Sequence, residues 1–227
     1  MTKPNRHILI IGGMGPQASL YAHQLILEEA NRQGAVNNED YPRITHISVS
    51  VRDFISEPTY RDEARDYIIS CIKEFDTTGV DRAFIACNTA HILFDEIQTA
   101  TGLPLTSLID VTLKHISGDR AVRSVGIIAT PSTLSTGLYS KGFGKYTKLV
   151  EPTLESSKRI ETIIRDVIGG KDEALLAALL QKEMEAMYAR GADKVVMGCT
   201  ETSLLAKSIT LTQVVDPLSL TIREIMR

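Results

Sequence analysis

Short apolar runs and helically spaced apolar positions take turns along this chain. HILIIG (7–12) is an aliphatic run closed by glycine and predicts a buried strand. Residues 17–32 carry Leu20, Leu25 and Ile26 at helical spacing. ITHISVSV (44–51) alternates with the period of a strand. Residues 60–77 predict a helix with Ile68, Ile69, Ile72 and Phe75 on one face. DRAFIAC (81–87) predicts a strand, 90–100 a helix and LPLTSL (103–108) another short strand. The cycle then restarts with a strand at RSVGIIAT (123–130) and a helix at 132–140. Helices follow at 155–168 and 172–189, then strands at DKVVMGC (193–199) and TQVVD (212–216), and a last helix over 217–227. Repeated strand–helix units imply an α/β fold, parallel sheets with helices on both faces.

The second half echoes the first. TGVDRAFIACNTAH (78–91) and RGADKVVMGCTETS (190–203) share a Gly, a small or apolar residue, an Asp, a basic residue, four small or apolar residues and a Cys. HILIIGGMGP and SVGIIATPST each put an aliphatic strand before a turn with Pro. Cys87 and Cys199 stand about half the chain apart. This reads as an internal duplication into two pseudo-symmetric α/β lobes. Residues 1–109 plus 208–227 would carry Cys87, and 110–207 would carry Cys199. Ligands of open α/β sheets bind beyond the carboxyl ends of the strands. Both cysteines lie at such ends, as do Gly13-Met14-Gly15 and Thr130-Pro131-Ser132-Thr133, so the expected site is a cleft between the lobes.

Composition narrows the partners. The chain has 227 residues, a formal net charge of −3 and no Lys/Arg block, which excludes a nucleic-acid footprint. Its longest apolar runs are far short of the about 20 residues of a membrane span. The run that Gly12 and Gly13 end is not a signal peptide. The expectation is a cytoplasmic protein whose three cysteines stay reduced, with a small molecule or a second copy of itself as partner.

GGMGP (12–16) sits where phosphate loops sit, yet it is neither G-x-G-x-x-G nor a Walker motif. Its amides at a helix start suit an anion such as a carboxylate; the bland reading is a tight turn. Cys71, mid-helix among isoleucines, reads as a small hydrophobe. Cys87 and Cys199 instead precede polar helix starts, Asn88-Thr89 and Thr200-Glu201, where a helix dipole favours thiolate. Capping accounts for Asn88, Thr89 and Thr200 on their own, but not for two cysteines in register. A metal site would have Cys87, Cys199 and His91 without any C-x-x-C. A redox pair requires the sulfurs to touch. A cysteine hydrolase with His91 as base leaves the second cysteine idle. Two-base proton transfer uses both: one thiolate removes a proton from one face of a carbon beside a carboxylate, and a thiol returns one from the other face. Donors at the helix starts would stabilise the enediolate between the two steps.

GGMGP (12–16), CNTAH (87–91) and GCTE (198–201), in that order, resemble the aspartate/glutamate racemase family over nearly the whole chain, and the first motif is most similar to aspartate racemases. The resemblance implies two α/β lobes, catalysis without pyridoxal phosphate or any other cofactor or metal, and a homodimer. It implies Cys87 and Cys199 as the acid/base pair. It puts Met14, Asn88, Thr89, Thr130, Thr133, Thr200 and Glu201 around an amino-acid substrate with carboxylates. Arg52 in VSVRDF, or a basic residue within 165–171, would hold the distal carboxylate. A planar guanidinium suits that role; the alternative for Arg52 is a surface ion pair with Asp53 or Glu57. The pattern departs from the family at VSVRDF, at Ser132 in TPST and at Gly169 in VIGGK. Those departures leave a broader amino-acid range, or a binding protein for small carboxylates that does no chemistry, as alternatives.

Overall fold

The computed structural model of the chain describes residues 6–52, 54, 57–143 and 147–227. The chain divides into two compact units, Met1–Leu108 with Thr221–Arg227, and Ile109–Leu220.

In the first unit β1 (His7–Gly12), β2 (Arg43–Ser48) and β3 (Arg82–Ile85) form a parallel sheet in the order β2-β1-β3. All six residues of the central β1 are buried, which is why it reads as an unbroken aliphatic run and not as an alternation. α1 (Pro16–Arg32), α2 (Arg61–Lys73) and α3 (Phe94–Thr101) complete the layers. Their buried Ile68, Ile72 and Ile97 pack with Leu9, Ile11 and Ile85 of the sheet. Several predicted elements are shorter than expected, among them the strand over 44–51, which ends at Ser48, and the strand over 81–87, which spans Arg82–Ile85. The helix over 60–77 ends at Lys73, so Phe75 lies beyond it, 48% exposed. The strand over 103–108 is a single parallel bridge from Leu105 to Ala83. Pro104 has no N–H to donate to a ladder, and the chain turns at once into α4 (Leu108–Gly118).

The second unit holds β4 (Ser124–Ile128), β5 (Lys148–Val150), β6 (Lys194–Met197) and β7 (Val214–Val215), all parallel, in the order β5-β4-β6-β7. That order repeats the first unit's, with β7 in the place of the Leu105 bridge. The duplication read in the sequence therefore reappears in the topology. α5 (Pro131–Thr136), α6 (Leu154–Ile168) and α7 (Glu173–Ala189) surround this sheet. Ile160, Ile163 and Ile164 of α6 meet Leu180, Met184 and Met187 of α7 in its core.

The unit boundary differs from the expected one. β7 pairs with β6 through Val195↔Val214 and Val196↔Val215, which keeps residues 208–220 in the second unit. The chain rejoins the first unit at Thr221, within α8 (Pro217–Ile225), and not at 208. α4 and the three-residue β5 were not foreseen. β5 is too short to show a period, and α4 carries its buried Ile109, Thr112 and Ile116 in a stretch read as a connection.

Candidate active site

Much of the echo between the two cysteine segments has a structural cause. Gly79 and Gly191 both take positive φ, 77° and 91°, a conformation glycine adopts at no steric cost. Two residues on, Asp81 and Asp193 hold the first strand of their own sheet. Asp81 Oδ2 accepts from the backbone N–H of His7 at 2.8 Å, and the Asp81 N–H donates to the His7 carbonyl at 2.9 Å. Asp193 Oδ2 accepts from the N–H groups of Arg123 and Ser124, each at 2.8 Å, and its own N–H donates to the Ser124 carbonyl at 2.9 Å. The N–H groups of Arg123 and Ser124 keep the Asp193 carboxyl below its usual range.

In the first unit Cys87 follows β3 and is 3% exposed, in one core cluster with Met14 and Val49. The expected helix over 90–100 opens as a 3₁₀ turn, Thr89–Leu93, before α3 begins at Phe94. The dipole of one short turn is weaker than that of the full helix expected there. Asn88 occupies the N-cap of that turn without a side-chain capping bond, so capping does not account for it. Asn88 and Thr89 are buried, 1% and 3% exposed. His91 Nε2 accepts from the backbone N–H of Leu108 at 3.0 Å, which makes Nδ1 the protonated nitrogen, and Nδ1 donates to the Cys87 carbonyl at 2.8 Å. The ring stacks on Phe94. His91 is thereby a neutral brace for the Cys87 backbone rather than the base of a hydrolase.

The Gly-rich turn lies above the same sheet. Gly13 has φ 93°, and a Cβ there would come within 2.3 Å of the Val49 nitrogen. Only glycine lets β1 pass so close to the end of β2. The Gly13 N–H donates to Ser19 Oγ, which in turn donates to the Pro16 carbonyl. Gly15, the N-cap of α1, brings no side-chain cap, and the first turn has no acidic residue.

In the second unit Cys199 follows β6 and is 8% exposed. It stands at the N-cap of a 3₁₀ segment, Thr200–Ser208. Its thiol donates to Glu201 Oε2 at 2.7 Å. Thr202 Oγ1 donates to the Cys199 carbonyl at 2.6 Å. Gly198 admits the close pass of Ile127 and Ile128, since a Cβ there would meet Ile127 Cγ2 at 2.9 Å. Thr130 caps α5, its Oγ1 accepting from the Thr133 N–H at 3.2 Å and meeting Thr133 Oγ1 at 2.9 Å. The turn after the first strand is thus rich in amides in one unit and in hydroxyls in the other.

Sequence reasoning missed Tyr139, which feels the charge of Cys199, and Asp216, which ties down the segment after it. Tyr139 is fully buried; burial and the proximity of Asp216 and Cys199 push its phenol well above its usual range, and a hydrogen bond with Thr112 works the other way. Asp216 accepts from Ser203 Oγ at 2.7 Å and from Ser219 Oγ at 2.5 Å, tying the segment after Cys199 to α8. The Asp216-Pro217 pair is a helix-start signal that could have marked Asp216; nothing in the sequence marks Tyr139.

The candidates for a distal carboxylate have ionic partners of their own. Arg52 is 65% exposed; its Nε is 3.8 Å from Glu63 Oε1 and its guanidinium lies 5.0 Å from the centre of the Tyr60 ring. Glu63, and not Glu57, is the carboxylate beside it, while Asp53 lies outside the described residues. Arg165 pairs with Glu161 at 2.9 Å and Lys171 with Asp166 at 2.8 Å. Among the described residues no group of three or more His, Cys, Asp or Glu could hold a metal ion.

The sequence profile of the Asp/Glu/Hydantoin racemase family matches residues 11–225. A broad specificity amino-acid racemase of Bacillus subtilis is 29% identical over 133 residues, 58% of this chain and 58% of that protein. A glutamate racemase of Corynebacterium glutamicum is 25% identical over 150 residues, 66% of this chain and 54% of that protein. The chain thus spans between half and three fifths of the length of these relatives. Among solved structures, an aspartate racemase homologue from Pyrococcus horikoshii has a TM-score of 0.74 at 26% identity, covering 100% of this chain and 98% of that one. A Picrophilus torridus aspartate racemase shares the fold with a TM-score of 0.79 at 22% identity, covering 97% of this chain and 93% of that one.

Proposed function

The chain belongs to the Asp/Glu/hydantoin racemase family, and from that premise we propose that it is an amino-acid racemase that needs no cofactor and inverts Cα of aspartate or a similar acidic amino acid. One thiolate, Cys87 or Cys199, takes the α-proton; the thiol of the other gives one to the opposite face. After one turnover the negative charge has moved from one sulfur to the other. The hydrogen-bonding groups of Asn88, Thr89, Thr130, Thr133 and Thr200, with the amides about Met14, are assigned to the substrate's amino and α-carboxylate groups, where they would steady the enediolate. Arg52 is assigned to the distal carboxylate. It is exposed and, among the described residues, its ion-pair partner Glu63 is 3.8 Å away, so little of that contact has to be broken to recruit it.

The observation that carries this reading is the matched placement of two buried thiols. Each lies two residues beyond the last residue of a strand, β3 or β6, and each shortly precedes or caps a 3₁₀ segment that begins with buried polar residues. A core role explains one such cysteine but not the repeat. The 29% identity to a broad specificity racemase favours a wider amino-acid range as the second reading. A homodimer in the cytoplasm belongs to the same proposal; among the described residues no helix is long and apolar enough to cross a membrane.

Incubation with L-aspartate in deuterium oxide tests it. D-aspartate should form with α-deuterium from the first turnover, while unreacted L-aspartate keeps its proton. A panel of acidic and neutral amino acids separates the narrow range from the broad one. No inversion and no α-exchange across that panel would leave the carboxylate-binding alternative.

A further inference from the structure

Two residues beyond each cysteine the segments differ in kind: Thr89 stands in one and Glu201 in the other. Glu201 is 4% exposed, and its Oε2 is 2.7 Å from Cys199 Sγ. In that contact the Cys199 S–H is the donor and a Glu201 carboxyl oxygen the acceptor. That carboxylate also opposes a second negative charge on the sulfur beside it. The other titratable groups grouped with Cys199 do not offset this. Tyr139 is buried and stays neutral, and Asp216 is itself an acid, engaged by Ser203 and Ser219.

We propose that Glu201 is a positioning residue that holds the resting Cys199 as a thiol, so that Cys199 is the proton donor and Cys87 the base in the first half of a reaction cycle. The inference rests on the two-thiol reading above. When Cys199 gives its proton to Cα, its new thiolate stands against the Glu201 carboxylate, and that repulsion drives the sulfur to take a proton back from solvent while Cys87 releases to solvent the α-proton it took. Racemisation has an equilibrium constant of unity, so kcat/KM must match in the two directions. Glu201 can therefore change kcat/KM only by the same factor in both directions, while it can shift kcat and KM unequally between them by making one protonation state of the free enzyme the more populated.

The test follows alkylation by iodoacetamide from acid to alkaline pH in wild type, Glu201→Gln and Glu201→Asp, with each cysteine quantified by peptide mass mapping. In wild type Cys199 should become reactive at higher pH than Cys87. Glu201→Gln should speed Cys199 alkylation at neutral pH about ten-fold, the equivalent of one pKa unit, and leave the Cys87 profile in place. Glu201→Asp should stay close to wild type. A Cys199 profile in Glu201→Gln that coincides with wild type, or moves to higher pH, overturns the proposal. Should that variant fail to fold, the wild-type comparison decides: Cys199 reacting at or below the pH of Cys87 overturns it. A ten-fold shift without racemisation would remove the racemase reading and leave the coupling; racemisation without the shift would remove the coupling alone.

Discussion

The segments around Cys87 and Cys199 agree up to the sulfur and part company after it. Before it, Gly79 and Gly191 turn the chain with positive φ, and Asp81 and Asp193 fasten the start of the neighbouring central strand. After it, the first segment braces its backbone with a neutral His91, while the second sets a buried carboxylate against the thiol. The shared half of the motif is thus scaffold that delivers a thiol to the same point of two similar sheets. In the divergent half, on the reading proposed above, Glu201 sets how Cys199 is protonated. Gene duplication readily preserves the first. A reaction that must take a proton at one sulfur and give one at the other has a use for the second.

Replacing the sulfurs is the strongest way to break that comparison. Cys87→Ser and Cys199→Ser should each lower racemisation by about 10³-fold or more, in line with loss of an essential acid or base. Each single variant keeps one thiol, so each should still exchange the α-proton of one enantiomer in deuterium oxide, and the two variants should choose opposite enantiomers. Full activity in either variant, measured by optical rotation, would show that the pair does not act as one.

The sequence made the scaffold legible because its signals are local. A run such as HILIIG is apolar throughout since β1 is buried on both faces, and the Gly-x-Asp repeat recurs because two sheets need the same clamp. The fourth strand of the first unit was overread: Leu103 and Leu105 are buried, which gives a strand's apolar signal, but Pro104 limits the pairing to one bridge. The partners of Cys199 were legible only in part. Glu201 is adjacent in sequence and could be suspected, whereas Tyr139 and Thr112 reach this unit's core from helical and turn positions with no local signature. The return of the chain at Thr221 was missed because TQVVD, although read as a strand, carries no mark of the sheet it joins, and it pairs with β6.

A smaller effect separates the two clamps. Asp193 Oδ2 takes three bonds, from the N–H groups of Arg123 and Ser124 and from Ser124 Oγ at 2.9 Å. Asp81 takes the His7 N–H. A hydrogen bond to a charged group is worth about 1.5–3 kcal/mol at most sites and less where water competes, and both aspartates face solvent. Asp193→Ala should therefore cost about 3 kcal/mol and Asp81→Ala about 1 kcal/mol, read from urea unfolding. The Asp193 carboxyl is held below its usual range by the Arg123 N–H foremost. Its contribution is thus complete above the unfolded aspartate value of about 3.9 and is lost as pH falls through the lower folded value. Equal losses in the two variants would mean that the clamps are interchangeable.

The smallest effect concerns the turns after the two central strands. Beneath the first turn, His46 on β2 packs against Gly12, where a Cβ would meet its Nε2 at 2.9 Å, and the His23 ring of α1 lies 6.3 Å away. That Nε2 is buried without a hydrogen-bond partner. Burial first, and the neighbouring His23 second, lower the pKa of His46. The corresponding turn of the second unit is capped by the Thr130 hydroxyl, which does not titrate. A histidine depressed in the folded state stays neutral there while the unfolded chain binds protons. Its stabilising contribution is complete above the unfolded value of about 6.5 and is lost as pH falls from there through the folded value. Protection factors along β1, taken against the intrinsic exchange rate at each pH, should therefore fall in mild acid while those along β4 do not, and His46→Asn should remove the difference. If β1 and β4 respond to acid alike in the wild type, the two turns differ in composition but not in their dependence on pH.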